Sequence, residues 1–222
     1  VTLGSQNVLY PNVVVGAEPQ DISYADEDTC VVIGDRNTLR EGVTINRGSE
    51  KEDGITSLGS DNFLMANSHV AHDCKLGSHI VIANGSLLAG HVHVNDHASI
   101  SGGCAVHHFV TVSSYSFLAG LSRALHDVPP YMLVEGIAAK PRCINIVALK
   151  RSGFSNAAID SLAAAHRLLY RSKVGVAHAK EILQSKEQLT PEVDQLFAFI
   201  DRQQEGRHGR GREVVRRAAC AA

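Results

Sequence analysis

Tryptophan is absent from this chain of 222 residues, and aromatic residues make up only 5% of it, which excludes a core built around large rings. No stretch of 18 consecutive apolar residues occurs, so no membrane-spanning helix is expected. No basic segment followed by an apolar one opens the chain, so no export signal is visible. A net charge of −2 offers no general attraction to nucleic acid or to an anionic membrane surface. The five cysteines (Cys30, Cys74, Cys104, Cys143 and Cys220) are odd in number and scattered, with no C-x-x-C pair. They argue against a disulfide framework and for reduced, mostly buried thiols in a cytoplasmic protein. What is plentiful is small and aliphatic: 44% of the residues are hydrophobic, enough for one domain, or one with a smaller appendage.

The aliphatic residues keep a step of six. From Leu58 the ladder runs Leu64, Val70, Leu76, Ile82, Leu88, Val94, Ile100, Val106, Val112 and Leu118, eleven positions without a break. With about a quarter of the chain being Leu, Ile or Val, such a run has a chance on the order of one in a million. Leu3, Leu9, Val15 and then Ile33, Leu39, Ile45 repeat the step. Six fits neither the 3.6 period of a helix nor the alternation of an ordinary strand; it is the hexapeptide signature of a parallel β-helix. Three hexads make one triangular coil, the aliphatic points inward, and coils stack at strand spacing, about 4.8 Å.

Two polar stretches, 16–32 and 46–57, interrupt the step and read as loops ejected from the coil, serving either to carry binding groups or as tolerated insertions. The chain opens directly on a hexad, so the expectation is that the first coils are missing. The β-helix is assigned to 1–146 and a C-terminal helical domain to 147–203. In the latter, Ser155 caps a helix with Ile159, Leu162, Ala163, His166 and Leu169 on one face. Residues 176–186 form a second candidate. Thr190 and Pro191 open a third, striped by Val193, Leu196, Phe197 and Ile200. The Arg-rich tail, 204–222, lacks a core pattern and is expected to be disordered.

Eight of the twelve histidines fall between His69 and His108. At 18 residues per coil, positions 72, 90 and 108 stack, which gathers His69, His72, His91 and His107 on one flank. Three readings compete there. His79, His93 and His97 read as solvated side chains on a wall. Neutral imidazoles from adjacent coils could ligate zinc. His72 could act as a general base, with Asp73 setting its tautomer.

The segments "IGDRNTLREGVTI", "GSDNFLMANSHVAHDCKLG", "LLAGHVHV", "AVHHF", "DVPPYM" and "NIVALKRSGF" together resemble the UDP-N-acetylglucosamine O-acyltransferases that open lipid A synthesis. The likeness runs in order through residues 1–172. It implies a homotrimer of left-handed β-helices with C-terminal helices and active sites between subunits. The implied reaction moves a 3-hydroxyacyl chain from acyl carrier protein to the 3-hydroxyl of UDP-N-acetylglucosamine. No cofactor or metal is implied, since the donor's phosphopantetheine belongs to the carrier. Neither nucleic acid nor an integral membrane association is expected.

By the resemblance His72 is the base, with Asp73 beside it, and the Gly102 amide steadies the oxyanion. Asp21, His69, His91 and His107 match substrate contacts, Asn145 and Arg151 the nucleotide-binding end, and Gly120 the position limiting acyl length. The chain departs from the family's pattern at Ser23, Asn46, His108, Val147 and Ser152, where a lysine, a histidine, a glutamine, a glutamate and an arginine are usual. The alternatives are the related N-acyltransferase acting on acylated UDP-glucosamine, and a zinc-binding or non-catalytic β-helix scaffold.

Overall fold

The computed structural model describes residues 1–213. Through Leu118 the chain winds as a parallel β-helix of three flat walls. One wall stacks Thr2–Leu3, Cys30–Ile33, Ile55–Leu58, Lys75–Leu76, His93–Val94 and Thr111–Val112. The second runs from Val8–Leu9 to Phe117–Leu118, then to Met132–Glu135 and the antiparallel Lys140–Ile144. The third runs from Val14–Ala17 to Arg123–Ala124. Leu58 pairs with Leu76, Leu76 with Val94 and Val94 with Val112, eighteen residues per coil. The earlier coils are longer. Leu3 pairs with Ile33 and Ile33 with Leu58, because the 16–32 and 46–57 loops leave at corners and return in register.

Every rung of the ladder from Leu58 to Leu118 is buried. Each hexad adds a second inward residue two positions earlier, among them Ser68, Cys74, Ile80, Ser86, Val92, Ala98 and Cys104, all buried. Most of these residues are small, Ile80 and Val92 excepted, and they account for two of the thiols. Burial pushes the Cys74 thiol up to about 12. Cys30 is only half-buried and Cys143 is exposed, so the expectation of mostly buried thiols holds for two of the four described; Cys220 lies outside the described residues.

At each corner one residue adopts left-handed backbone, and these too recur every coil. His79, His97 and Tyr115 form one column, Asp73, His91 and Phe109 a second, and Asn67, Gly85, Gly103 and Leu121 a third. Each non-glycine residue there costs about 1–2 kcal/mol, which pairing on three walls offsets. In the first column the rings stack at 4.7 Å, His79 on His97 and His97 on Tyr115. Thus His79 is exposed as expected, whereas His97 is half-covered by its neighbours.

Four α-helices follow: α1 (Ile146–Arg151), α2 (Asn156–His166), α3 (Val176–Ser185) and α4 (Pro191–Glu205). The Ser155 hydroxyl accepts from the Ala158 amide at 3.1 Å, as a cap should. Ile159, Leu162 and His166 are buried on α2, while Ala163 faces out. A π turn, Arg167–Arg171, extends α2. Thr190 occupies the cap position of α4, yet its hydroxyl makes no capping bond. Val193, Leu196, Phe197 and Ile200 join the core. Among the described residues no helix is long and apolar enough to cross a membrane.

The expectation of disorder from 204 onward is corrected for 204–213. Asp127 donates its amide to Gly209 O at 2.8 Å and accepts the Gly211 amide at 2.7 Å, while Arg210 Nη1 donates to Leu125 O at 2.8 Å. The anchors are polar, so a search for apolar periodicity passes over them. Residues 214–222 lie outside the described part.

Candidate active site

His72 and Asp73 turn the corner between the third wall and the first. Asp73 has left-handed backbone and a fully buried side chain. Its carboxylate accepts the Ser49 amide at 2.7 Å, the Ser49 hydroxyl at 2.6 Å and His72 Nδ1 at 2.7 Å. Its own amide donates to Thr56 Oγ1 at 2.8 Å. Burial alone pushes this carboxyl up, but the bonds from His72 and Ser49 together outweigh it and hold it below the ordinary value. An ionised carboxylate only accepts, so Nδ1 of His72 carries the proton and Nε2 is left with a free lone pair.

One coil on, Gly90 and His91 pack beneath this imidazole. A Cβ added at Gly90 would lie 2.6 Å from His72 Cε1, so only glycine lets the ring sit where it does. The His72 and His91 rings meet edge to face with centroids 5.2 Å apart, and His91 stacks on Phe109 at 4.5 Å. His91 Nε2 lies 3.8 Å from the Asp73 carboxylate. Its Nδ1 lies 3.1 Å from Glu52 Oε1, without hydrogen-bond alignment. Among the described residues the Gly90 amide donates to no backbone carbonyl.

The two loops close over this corner. Asn46, where the family pattern has histidine, donates to Glu18 O at 2.5 Å and so ties down the first loop. Arg47 donates to Tyr24 Oη at 2.6 Å from the same side. Lys51 of the second loop pairs with Asp21 of the first, whose carboxyl is held below the usual range by Lys51 and then by Ser23. Lys51 thus places a cation beside Asp21, two residues from Ser23. Gly48 and Gly54 pinch the neck of the second loop, where a Cβ at Gly48 would be 2.3 Å from the Gly54 main chain. With Ser49 holding Asp73, the second loop is a working part of the site.

A cavity of about 620 Å³ opens on this corner, lined by Asp21, Ile22, His69, His72, Leu87, Gly90, His91, His108 and Phe109 among others. It matches the size of small-molecule sites. Asp21, His69, His72 and His91 are therefore brought together. His69 Nδ1 lies 2.7 Å from Thr44 Oγ1, and burial, then His72, lowers its proton affinity. Gly102 does not line this cavity, since position 102 belongs to another corner, whereas Gly90 does. His107 does not line it either, while its neighbour His108 does. Gln20, Ser49, Glu52 and Phe109 escaped sequence reasoning, as did any role for Gly90, although the 18-residue step stacks it on His72.

Asn145 and Arg151 line a second cavity of about 470 Å³, on the corner column of His79, His97 and Tyr115. Asn145 caps α1 and donates to Tyr115 O at 2.9 Å, so its amide also serves the fold. Gly120 lies in neither cavity. A Cβ there would meet nothing nearer than Ser101 Oγ at 3.5 Å. One group of possible metal ligands, His72, Asp73 and His91, has donor atoms within 4.8 Å of one another. The Asp73 oxygen nearest them is already taken by His72 and Ser49.

His93 is corrected from a solvated to a half-buried side chain whose Nε2 has no partner. Burial first, then Arg212 and Lys75, lowers its pKa from 6.5 to about 4. The unfolded chain would bind a proton here as pH falls through 6.5, and the folded chain only near 4. Stability present above pH 6.5 is thus lost progressively towards pH 4. After discounting for solvent screening, the effect is about 1–2 kcal/mol. His93→Gln should flatten this slope in urea unfolding at pH 7 and pH 4.5; identical slopes in parent and variant would exclude it.

Residues 127–211 match the family described as UDP N-acetylglucosamine O-acyltransferase, domain 2, and residues 55–90 match bacterial transferase hexapeptide repeats. An acyl-[acyl-carrier-protein]–UDP-N-acetylglucosamine O-acyltransferase of Burkholderia mallei is 41% identical over 196 residues, covering 86% of this chain and 75% of that one. Its Burkholderia lata counterpart is 40% identical over 208 residues, 92% of this chain and 79% of the relative. Among solved structures, the UDP-N-acetylglucosamine acyltransferase of Bacteroides fragilis superposes with a TM-score of 0.86 at 34% identity, covering 96% and 81% of the two chains. The Arabidopsis enzyme gives 0.83 at 35%, covering 94% and 73%.

Proposed function

The chain belongs to the UDP-N-acetylglucosamine O-acyltransferase family, and we propose how its own residues perform that acyl transfer. The fold is the family's left-handed β-helix, and the reaction is the first of lipid A biosynthesis: an acyl chain moves from acyl carrier protein to UDP-N-acetylglucosamine. The N-acyltransferase alternative is not favoured.

A sugar hydroxyl is a weak nucleophile and needs a base as it attacks. Nε2 of His72 takes the proton of the 3-hydroxyl while the oxygen adds to the thioester carbonyl. The tetrahedral oxyanion is met by the amide of Gly90, a residue that lines the cavity and, among the described residues, donates to no backbone carbonyl. Collapse expels the pantetheine thiolate, which recovers the proton from the imidazolium; an ester and a free thiol result. Asp73 stays ionised throughout and holds the imidazolium as it forms. No cofactor or resident metal takes part.

The remaining roles follow from position. Asp21, His69, His91 and His108 contact substrate, and the exposed Ile22 and Leu87 offer apolar surface to an acyl chain. The working particle is a homotrimer in which the Asn145 and Arg151 face of one protomer closes the His72 cavity of its neighbour. Their location on different corners supports that arrangement. Cytoplasmic location fits the free thiols.

The observation that carries the reading is the 2.7 Å bond from His72 Nδ1 to a buried carboxylate, which turns Nε2 into the cavity. The purified chain, given UDP-N-acetylglucosamine and a panel of acyl and 3-hydroxyacyl carrier proteins, should form an ester product identified by mass spectrometry. No ester product from that panel, transfer only to the free amine of an acylated UDP-glucosamine, or activity that depends on added zinc, would overturn it.

A further inference from the structure

Arg212 comes from the docked C-terminal loop and reaches the site through two bonds. Its Nη1 donates to His91 O at 2.6 Å and its Nη2 to Glu52 Oε1 at 3.2 Å. Glu52 stands three residues after Ser49, whose amide and hydroxyl hold the Asp73 carboxylate. His91 belongs to the corner on which the His72 ring rests. A single guanidinium therefore joins the loop that orients Asp73 to the turn that supports His72. The loop is itself held by Gly211 on Asp127 and by Arg210 on Leu125 O, so Arg212 is presented from a fixed platform.

We propose that Arg212 is a positioning residue for acyl transfer: with Glu52 it clamps the 46–57 loop against the His91 corner, keeping Asp73, and through it His72, aligned for proton removal. The inference rests on the reading of His72 as the base. Neither Arg212 nor Glu52 belongs to the hydrophobic core, and the strands flanking the loop, Thr44–Asn46 and Ile55–Leu58, pair with their walls without either residue. The clamp can therefore loosen while the β-helix persists. Arginine suits the task because its rigid fork donates in two directions at once, which an ammonium on a flexible stem does poorly.

The full chain should be assayed as parent, Arg212→Gln, Arg212→Lys, Glu52→Gln and the Arg212→Gln/Glu52→Gln double variant. Arg212→Gln is expected to lower kcat about tenfold, with KM for either substrate changed less than about twofold. Glu52→Gln should behave alike, and the double variant should be no slower than the slower single, because both remove one clamp. Arg212→Lys should recover only part of the rate. Millimolar guanidinium should partly restore Arg212→Gly and leave His72→Ala inactive. A kcat for Arg212→Gln within about twofold of the parent, additive losses, or a rate loss matched by a lower melting temperature would overturn the inference. An inactive parent would instead overturn the functional reading, and the clamp with it.

Discussion

His72→Ala is expected to slow transfer by about 10³-fold, equivalent to about 4 kcal/mol of lost transition-state stabilisation. The melting temperature should barely move. The imidazole lies at the mouth of a cavity with its side chain 13% exposed, and it fills no core position. Asp73 would lose one of its donors but keep both from Ser49, so no orphaned buried charge is created. Steady-state assays with UDP-N-acetylglucosamine and acyl carrier protein substrates, beside thermal unfolding, check both halves. Turnover close to the parent's would remove His72 from the mechanism.

Gly90→Ala is expected to cost about 10²-fold in kcat, again with little loss of stability. The added methyl would stand 2.6 Å from Cε1 and 2.7 Å from Nε2 of His72. The ring sits at the end of a side chain and can swing away cheaply. That movement breaks its bond to Asp73 and turns Nε2 off the cavity. Gly102→Ala is the matched control, because its new methyl would meet only Asn84 O at 3.5 Å, an ordinary contact. If Gly102→Ala were the slower of the two, the oxyanion donor would be at Gly102 after all. The paired assay thus tests the choice between two glycines.

Much of the architecture could be read from a step of six because each coil repeats one local rule: an inward aliphatic, a second buried residue two before it, and a turn. Leu58 to Leu118 followed that rule, and the placement of His72 beside Gly90 and His91 came from it. The helices with a cap residue and an apolar stripe in the sequence, α2 and α4, were legible for the same local reason, although the Thr190 hydroxyl makes no capping bond. What escaped depends on contacts between distant parts of the chain. Ser49 reaches Asp73, Lys51 reaches Asp21 and Arg212 reaches Glu52 from loops whose path no periodicity specifies. His93 escaped because Arg212 of the C-terminal loop comes near enough to act on its charge, which no periodicity specifies. Asn46 read as a departure from the family's pattern, and its side chain serves loop closure.

The corners and the walls of this prism accept change on different terms. A residue gained or lost inside a wall would turn every later aliphatic outward, so between Leu58 and Leu118 viable lineages can alter length only by whole turns. Where the chain leaves a corner and comes back, as it does before Ile33 and before Leu58, length is free to drift one codon at a time. Diversification of what this scaffold accepts should accordingly be written in insertions and deletions at its corners, while the pitch beneath them stays frozen.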